Sequence, residues 1–284
     1  MSIVWLGQPA CHDVASVGGK AANLSRLAAQ FRVPQGFCLT AEALGSHAPV
    51  DAPLSQLLLD QVAAAYKMLA DKSGQPDPSV AVRSSACDED GAASSFAGQH
   101  ETYLNITGAD AIADAVVRCH QSAFAPRVLE YRRRQGLPVD GVRLAVLVQR
   151  LVPADVSAVA FSRNPVTGDP DEIVINAAWG LGESIVGGTV TPDTYVVAKK
   201  GLTVAERVLG QKEQMTVSAP NGTKEVPVPR LLQAQFSLND AKALEIARLV
   251  QALEETMGWP VDIECAFHGD ELNLLQCRPI TVLK

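Results

Sequence analysis

Residues 260–281 read PVDIECAFHGDELNLLQCRPIT. Two β-rich runs flank the turn residues His268, Gly269 and Asp270, so the stretch predicts an antiparallel hairpin. Residues two apart on a strand point to one face of the sheet. Asp262 and Glu264 therefore share a face on the first run, and Gln276 and Arg278 share one on the second. A carboxylate, an amide oxygen and an arginine on one face suit Mg²⁺ and a triphosphate, because Mg²⁺ prefers oxygen ligands and shares them with phosphates. A solvated polar face has the same pattern, and the hairpin alone leaves both readings open.

Just upstream, residues 238–257 (LNDAKALEIARLVQALEETM) carry apolar residues at helical spacing. From residue 142 to that helix, β-rich runs dominate: VRLAVLVQRLV, SAVAFSR, DEIVINAAW, YVVAKK and TVAERVL. The first half reads differently. VGGKAANLSRLAAQ, residues 54–72 and residues 109–135 predict helices, the last as one long helix whose end, Arg132 to Arg134, forms a solvated face. FCLT, residues 79–84 and HETYLNI predict short strands between them. Helices early and strands late point to an α+β protein of two lobes, 1–145 and 146–284, with a small-molecule site expected between them.

Two further stretches suit phosphate, and a third could face a ligand. Gly18-Gly19-Lys20 precedes a helix, where backbone N–H groups and a lysine attract anions, although a plain helix-capping turn has the same look. It is not a Walker loop: Val14 stands where the first glycine would fall, and Ala21 replaces the Ser or Thr. Val82-Arg83-Ser84-Ser85 ends a strand before a small-residue loop containing Gly91, Ser94, Ser95 and Gly98; an arginine there can fork onto phosphate oxygens, or simply lie on the surface. Trp179-Gly180-Leu181-Gly182-Glu183, with Thr191-Pro192-Asp193, reads as a glycine loop packed on Trp179 or as a ligand-facing loop. Ile185 stands where a dinucleotide fingerprint needs its third glycine.

Composition narrows the partners. The net charge of -7 argues against a nucleic-acid coat, which needs a basic face, but not against one small anion held by a few local cations. The six cysteines form no C-x-x-C pair, and no apolar run approaches the length of a membrane span. No secretory signal is legible at the N-terminus, so the expectation is a soluble cytoplasmic protein.

Taken together, VGGKAANLSRL, VPQGFCLT, VAVRSSACDEDGAASSFAGQHETYLN, VLVQRLVPADVSAVAFSRNPVTG, INAAWGLGESIVGGTVTPDTY and DIECAFHGDELNLLQCRPIT resemble the ATP-binding domain of the phosphoenolpyruvate synthase, pyruvate phosphate dikinase and rifampin phosphotransferase family. They stand in the family's order and run from about residue 17 to 281. The resemblance implies an ATP-grasp fold with ATP and Mg²⁺ held between the lobes. It implies phosphate contacts for Lys20 and Arg83, and a glycine loop closing over the phosphates at Gly98. It implies an adenine-side hinge at Gln149, Arg150, Leu151 and Val152. It makes Glu264 the ribose- or metal-side carboxylate, Gln276 the amide beside Mg²⁺, and Arg278 the arginine that stabilises the transferring phosphoryl group. Cys265 and Cys277 stand where the family commonly has tryptophan and serine; neither change removes an expected ligand.

The resemblance also implies chemistry: a phosphoryl group passed from ATP to a histidine, leaving AMP and phosphate. None of the histidines here has the family's phosphohistidine context. The acceptor is expected on a swivelling domain, alongside a second-substrate domain, in the same full-length protein or in a separate subunit. Two rivals stand beside this: a non-catalytic nucleotide-binding module, which would bind ATP without turnover, and an ATP-grasp ligase, which would release ADP.

Overall fold

The computed structural model describes residues 1–45, 53–88, 101–220 and 222–280. The chain forms two compact units, Met1–Leu151 with Pro220–Gly222, and Val152–Ala219 with Thr223–Lys284. Both mix helices and sheet, and the expected α+β class holds.

Unit 1 is a five-stranded sheet with helices on both faces. Its elements are β1 (Ile3–Trp5), α1 (Val14–Leu27), β2 (Gly36–Leu39), α2 (Ala41–Leu44), α3 (Gln56–Ser73), β3 (Val80–Ala86), β4 (Thr102–Ile106), α4 (Ala109–Ser122), α5 (Pro126–Arg134) and β5 (Leu144–Arg150). The strand order is β1-β2-β5-β3-β4, and every pairing is antiparallel. Alternation along the strands assigns the faces. Phe37, Leu39, Val80, Val82, Val146 and Val148 pack with Leu58, Val62, Leu69, Ile112 and Val116 of α3 and α4. The alternate residues Cys38, Ala81, Arg83, Ser85 and Gln149 face the other way, towards α1. Both faces of β3 are thus covered and all seven of its residues are buried, including an arginine and two serines.

Residues 109–135 are two helices, not one. Pro126 is the first residue of α5, and Ala125 before it is extended at φ -60°, ψ 142°. A proline ring disfavours helical backbone at the preceding residue, so α4 cannot run on. The basic run divides as well. Arg133 and Arg134 lie at the surface and pair with Glu130 within the helix. Arg132, expected at a solvated face, is 2% exposed and pairs with Asp88.

His120 is buried in α4, where its Nε2 donates to the Gly45 carbonyl at 3.0 Å and its ring packs on Phe124. Burial lowers its pKa from the ordinary 6.5, against a smaller rise from the Gly45 contact. The folded state therefore keeps the neutral ring, and its contribution to stability is full above pH 6.5 and lost as pH falls through the lowered folded value. Unit 1 is expected to weaken between pH 7.5 and 5 by at most about 1.4 kcal/mol per pH unit from this group. Denaturant midpoints across that range should slope less in His120→Gln; an unchanged slope would remove His120 as the cause.

Unit 2 is a six-stranded antiparallel sheet with one long helix across it. Its elements are β6 (Val156–Phe161), β7 (Glu172–Trp179), α6 (Glu183–Val186), β8 (Asp193–Ala198), β9 (Thr203–Val208), β10 (Gln214–Ala219), β11 (Gly222–Pro227), α7 (Arg230–Gln233), α8 (Asp240–Met257), β12 (Val261–His268) and β13 (Glu271–Pro279). The order is β13-β12-β6-β7-β8-β9, with β10 and β11 forming a separate pair. Asn239 caps α8 through Lys242 N, Gly258 ends it at φ 74°, and Ala243, Ile246, Ala247, Val250 and Leu253 make its buried stripe. Among the described residues, no helix is long and apolar enough to cross a membrane.

Candidate functional site

Gly18 shapes the Lys20 segment of unit 1. It interrupts α1 with φ 75° and ψ 165°, a combination open essentially to glycine alone. A Cβ there would lie 2.2 Å from the Ser85 carbonyl oxygen and 2.4 Å from its Oγ. The Gly-Gly turn does precede a helix, as expected, and a short helical stretch from Val14 leads into it, the two meeting at the Gly18 kink. Beyond the kink, Ala21 N donates to Ser85 Oγ at 3.1 Å, so the hydroxyl of β3 caps the second half of α1 from outside. Lys20 is 8% exposed, and its Nζ donates to the Ser84 carbonyl at 2.6 Å.

Arg83, one residue before Ser84, lies on the α1 face and contacts Gln149 Oε1 through Nη1 at 3.5 Å. Gln149 turns its Nε2 to the Pro34 carbonyl at 3.1 Å. The residues after it begin the expected adenine-side segment. Arg150 N donates to Gln35 O at 2.8 Å and Leu151 N to Ser79 O at 2.9 Å, so those two N–H groups hold the chain to β2 and β3. Val152 opens unit 2, and Ala154 N donates to its carbonyl at 2.8 Å. Lys20, Arg83, Gln149, Arg150 and Leu151 thus belong to one unit, with Lys20, Arg83 and Gln149 joined through β3. Gly98 lies outside the described residues.

In unit 2 the hairpin register sets Asp262 opposite Arg278 and Glu264 opposite Gln276, with a bulge just after Glu264. Arg278 Nε donates to Asp262 Oδ2 at 2.8 Å. Asp262 and Gln276 are buried, so this polar face is not simply solvated. Burial pushes the Asp262 carboxyl above its ordinary pKa; Arg278 pulls it down, and Glu264 adds to the rise. On the same face, β6 presents Val159 and Phe161, and β7 presents Asn176, whose Oδ1 accepts from Thr194 Oγ1 at 3.0 Å. Val159, Phe161 and Asn176 gave no sequence signal, because only strand order carries them to the carboxylates.

In the Thr191-Pro192-Asp193 stretch, which could face a ligand from sequence, Thr191 is exposed but Asp193 turns inward. Asp193 is wholly buried: Oδ1 accepts from Lys212 Nζ and from Gly210 N at 2.9 Å, and Oδ2 accepts from Ser237 N at 2.7 Å and Ser237 Oγ at 2.8 Å. Gly180 likewise serves packing, since a Cβ there would meet the Thr216 carbonyl oxygen at 2.4 Å.

In this α+β chain a lysine of α1 and an arginine of β3 meet at one buried strand, and carboxylates, an amide and an arginine face each other on a hairpin, a set of side chains compatible with a bound nucleotide. Comparison with known proteins agrees. The family described as pyruvate phosphate dikinase, AMP/ATP-binding domain, matches residues 46–284, and the chain belongs to it. The chain is 36% identical to the phosphoenolpyruvate synthase of Pyrococcus furiosus, with 99% of the chain and 44% of that protein covered. It is 37% identical to the probable phosphoenolpyruvate synthase of Methanocaldococcus jannaschii, covering 99% and 27%. It is 35% identical to the rifampicin phosphotransferase of Streptomyces sviceus, covering 95% and 35%. The chain thus spans less than half the length of these relatives.

Proposed function

We propose that the protein binds ATP with Mg²⁺ and passes a phosphoryl group to a histidine on a separate domain or partner, releasing AMP and phosphate. The observation that carries this is the hairpin register, which sets Asp262 against Arg278 and Glu264 against Gln276 on one face. Phosphoryl transfer asks a protein mainly for positioning and charge neutralisation, and these side chains supply both. Lys20 and Arg83 bind phosphate oxygens, each already directed by a protein contact to Ser84 and Gln149. The backbone and apolar groups of the Gln149 to Val152 segment hold the adenine. Arg278 is oriented by Asp262, and its positive charge acts on the phosphoryl group in transfer.

The donor set fits Mg²⁺. Glu264 and Gln276 present a carboxylate and an amide on directly paired residues. Among the described residues, no group of three or more His, Cys, Asp or Glu could hold a metal. An ion held by Glu264 and Gln276 would complete its shell with phosphate oxygens and water, as Mg²⁺ commonly does. When bound it would shield phosphate charge.

The test is titration of ATP with Mg²⁺ into the whole chain, followed by product analysis. ATP is expected to bind and to turn over slowly, giving AMP and phosphate. Arg278→Ala should lower that turnover by about a hundredfold or more. ADP as the product would favour the ligase reading, and binding with no turnover, even with a histidine-bearing partner, would favour the non-catalytic one. No binding by the native chain would sink the proposal.

A further inference from the structure

Helix α5 holds two arginines that reach opposite ends of the same stretch of chain. Arg132 pairs with Asp88 and Arg127 pairs with Glu101. Asp88 lies two residues past the end of β3, and Glu101 immediately precedes β4. We propose that α5 is a clasp on the phosphate side of unit 1, with Arg127 and Arg132 as positioning residues for binding the phosphates of ATP. The proposal rests on the ATP reading above.

Each anchor leads back to the Lys20 segment. The Glu101 carbonyl accepts from Ser84 N at 3.4 Å and from Ser84 Oγ at 3.2 Å, and the Ser84 carbonyl in turn accepts Lys20 Nζ. Fixing Glu101 therefore fixes the residue that aims the lysine. Asp88 follows Cys87, whose N donates to Arg143 O at 3.1 Å and whose Sγ lies 3.4 Å from the Ala15 carbonyl, one turn before the Gly18 kink. The helix itself is secured by Arg132, whose Nε donates to the Pro138 carbonyl at 2.7 Å.

The two pairs differ in strength. Arg132 is buried, and a buried guanidinium deprived of its carboxylate is strongly unfavourable. Arg127 and Glu101 are 56% and 39% exposed, so that pair contributes little to folding. An exposed pair that does little for the fold yet ties a helix to the residue holding Ser84 has its main effect on geometry. Phosphate binding is sensitive to small displacements of the binding groups.

The Arg127 pair decides the test, because its variants should fold. ATP affinity in the presence of Mg²⁺ and the unfolding midpoint are measured for Arg127→Gln, Arg132→Gln and the charge reversal Arg127→Glu with Glu101→Arg. Arg127→Gln is expected to weaken ATP binding about threefold to fivefold with little change in midpoint. The reversal should recover most of that loss. Arg132→Gln should weaken binding roughly tenfold or more and also lower the midpoint. Native ATP affinity in Arg127→Gln overturns the clasp while leaving the ATP reading intact. So does a loss that the reversal fails to restore, since pairing would then not be the cause. If the native chain does not bind ATP, the ATP reading fails and the clasp goes with it.

Discussion

Asp193→Ala is expected to destabilise unit 2 by about 5 kcal/mol, and Lys212→Met by about 3 kcal/mol. The two residues form an ion pair with both side chains fully buried. Breaking such a pair from one side leaves an uncompensated charge in a poorly polarisable interior. The order of the two effects follows from what each variant leaves behind. Without Lys212, the Asp193 carboxylate still accepts from Gly210 N, Ser237 N and Ser237 Oγ. Without Asp193, Lys212 Nζ retains the Gly210 carbonyl at 3.1 Å, and three further donors lose their acceptor. The segments are also locked sterically, because a Cβ on Gly210 would fall 2.2 Å from the Pro192 carbonyl oxygen. Denaturant unfolding of the two variants measures both terms. Losses below about 1 kcal/mol in both would mean that the interior readily rehydrates the charges.

That network also shows where sequence reading stops. Asp193 and Lys212 are 19 residues apart, and only the path of β8 and β9 brings them together. By contrast, the β12–β13 hairpin was legible because strand period and a Gly-containing turn fix which residues share a face, and the register agrees with that reading. The pairing of Arg278 with Asp262 required register as well as period. The helices at 56–73 and 240–257 were legible from their apolar spacing, and their Ser55 and Asn239 caps are consistent with it. The long helix over 109–135 failed because apolar spacing outweighed the local rule carried by Pro126. Arg132 was misplaced for a related reason: three consecutive arginines look alike in composition, but on a helix they point about a hundred degrees apart, and one of them faces inward. Strand β3 was cut short at Ser84 because serines favour loops, whereas tertiary contacts to Ala21 and Glu101 satisfy both hydroxyls inside the sheet. The six ordered motifs carried the family assignment further than any one of these elements, since each short motif alone also fits an ordinary turn or loop.

Gly18→Ala should be the most damaging single methyl on the phosphate side, with an expected loss of about 3 kcal/mol in the stability of unit 1. Two costs add. The backbone at φ 75° and ψ 165° is one that L-residues avoid, at about 1–3 kcal/mol. The new Cβ would also press on the Ser85 carbonyl at 2.2 Å, and a backbone oxygen of a paired strand residue cannot rotate away. Relief requires α1 to move off β3. That movement would break the bond from Ala21 N to Ser85 Oγ and carry Lys20 from the Ser84 carbonyl. ATP affinity should therefore fall together with stability, even at temperatures where the variant remains folded. Gly182→Ala is the matched control: its φ is -67°, and the nearest contact for its Cβ is Ser157 Cβ at 3.4 Å. That variant should be close to neutral for stability, within about 0.5 kcal/mol. If Gly18→Ala loses stability but binds ATP as the native chain does, the kink serves packing alone and Lys20 is not aimed by it. If both properties fall and Gly182→Ala leaves both unchanged, the close approach of α1 to β3 is what places the lysine for phosphate.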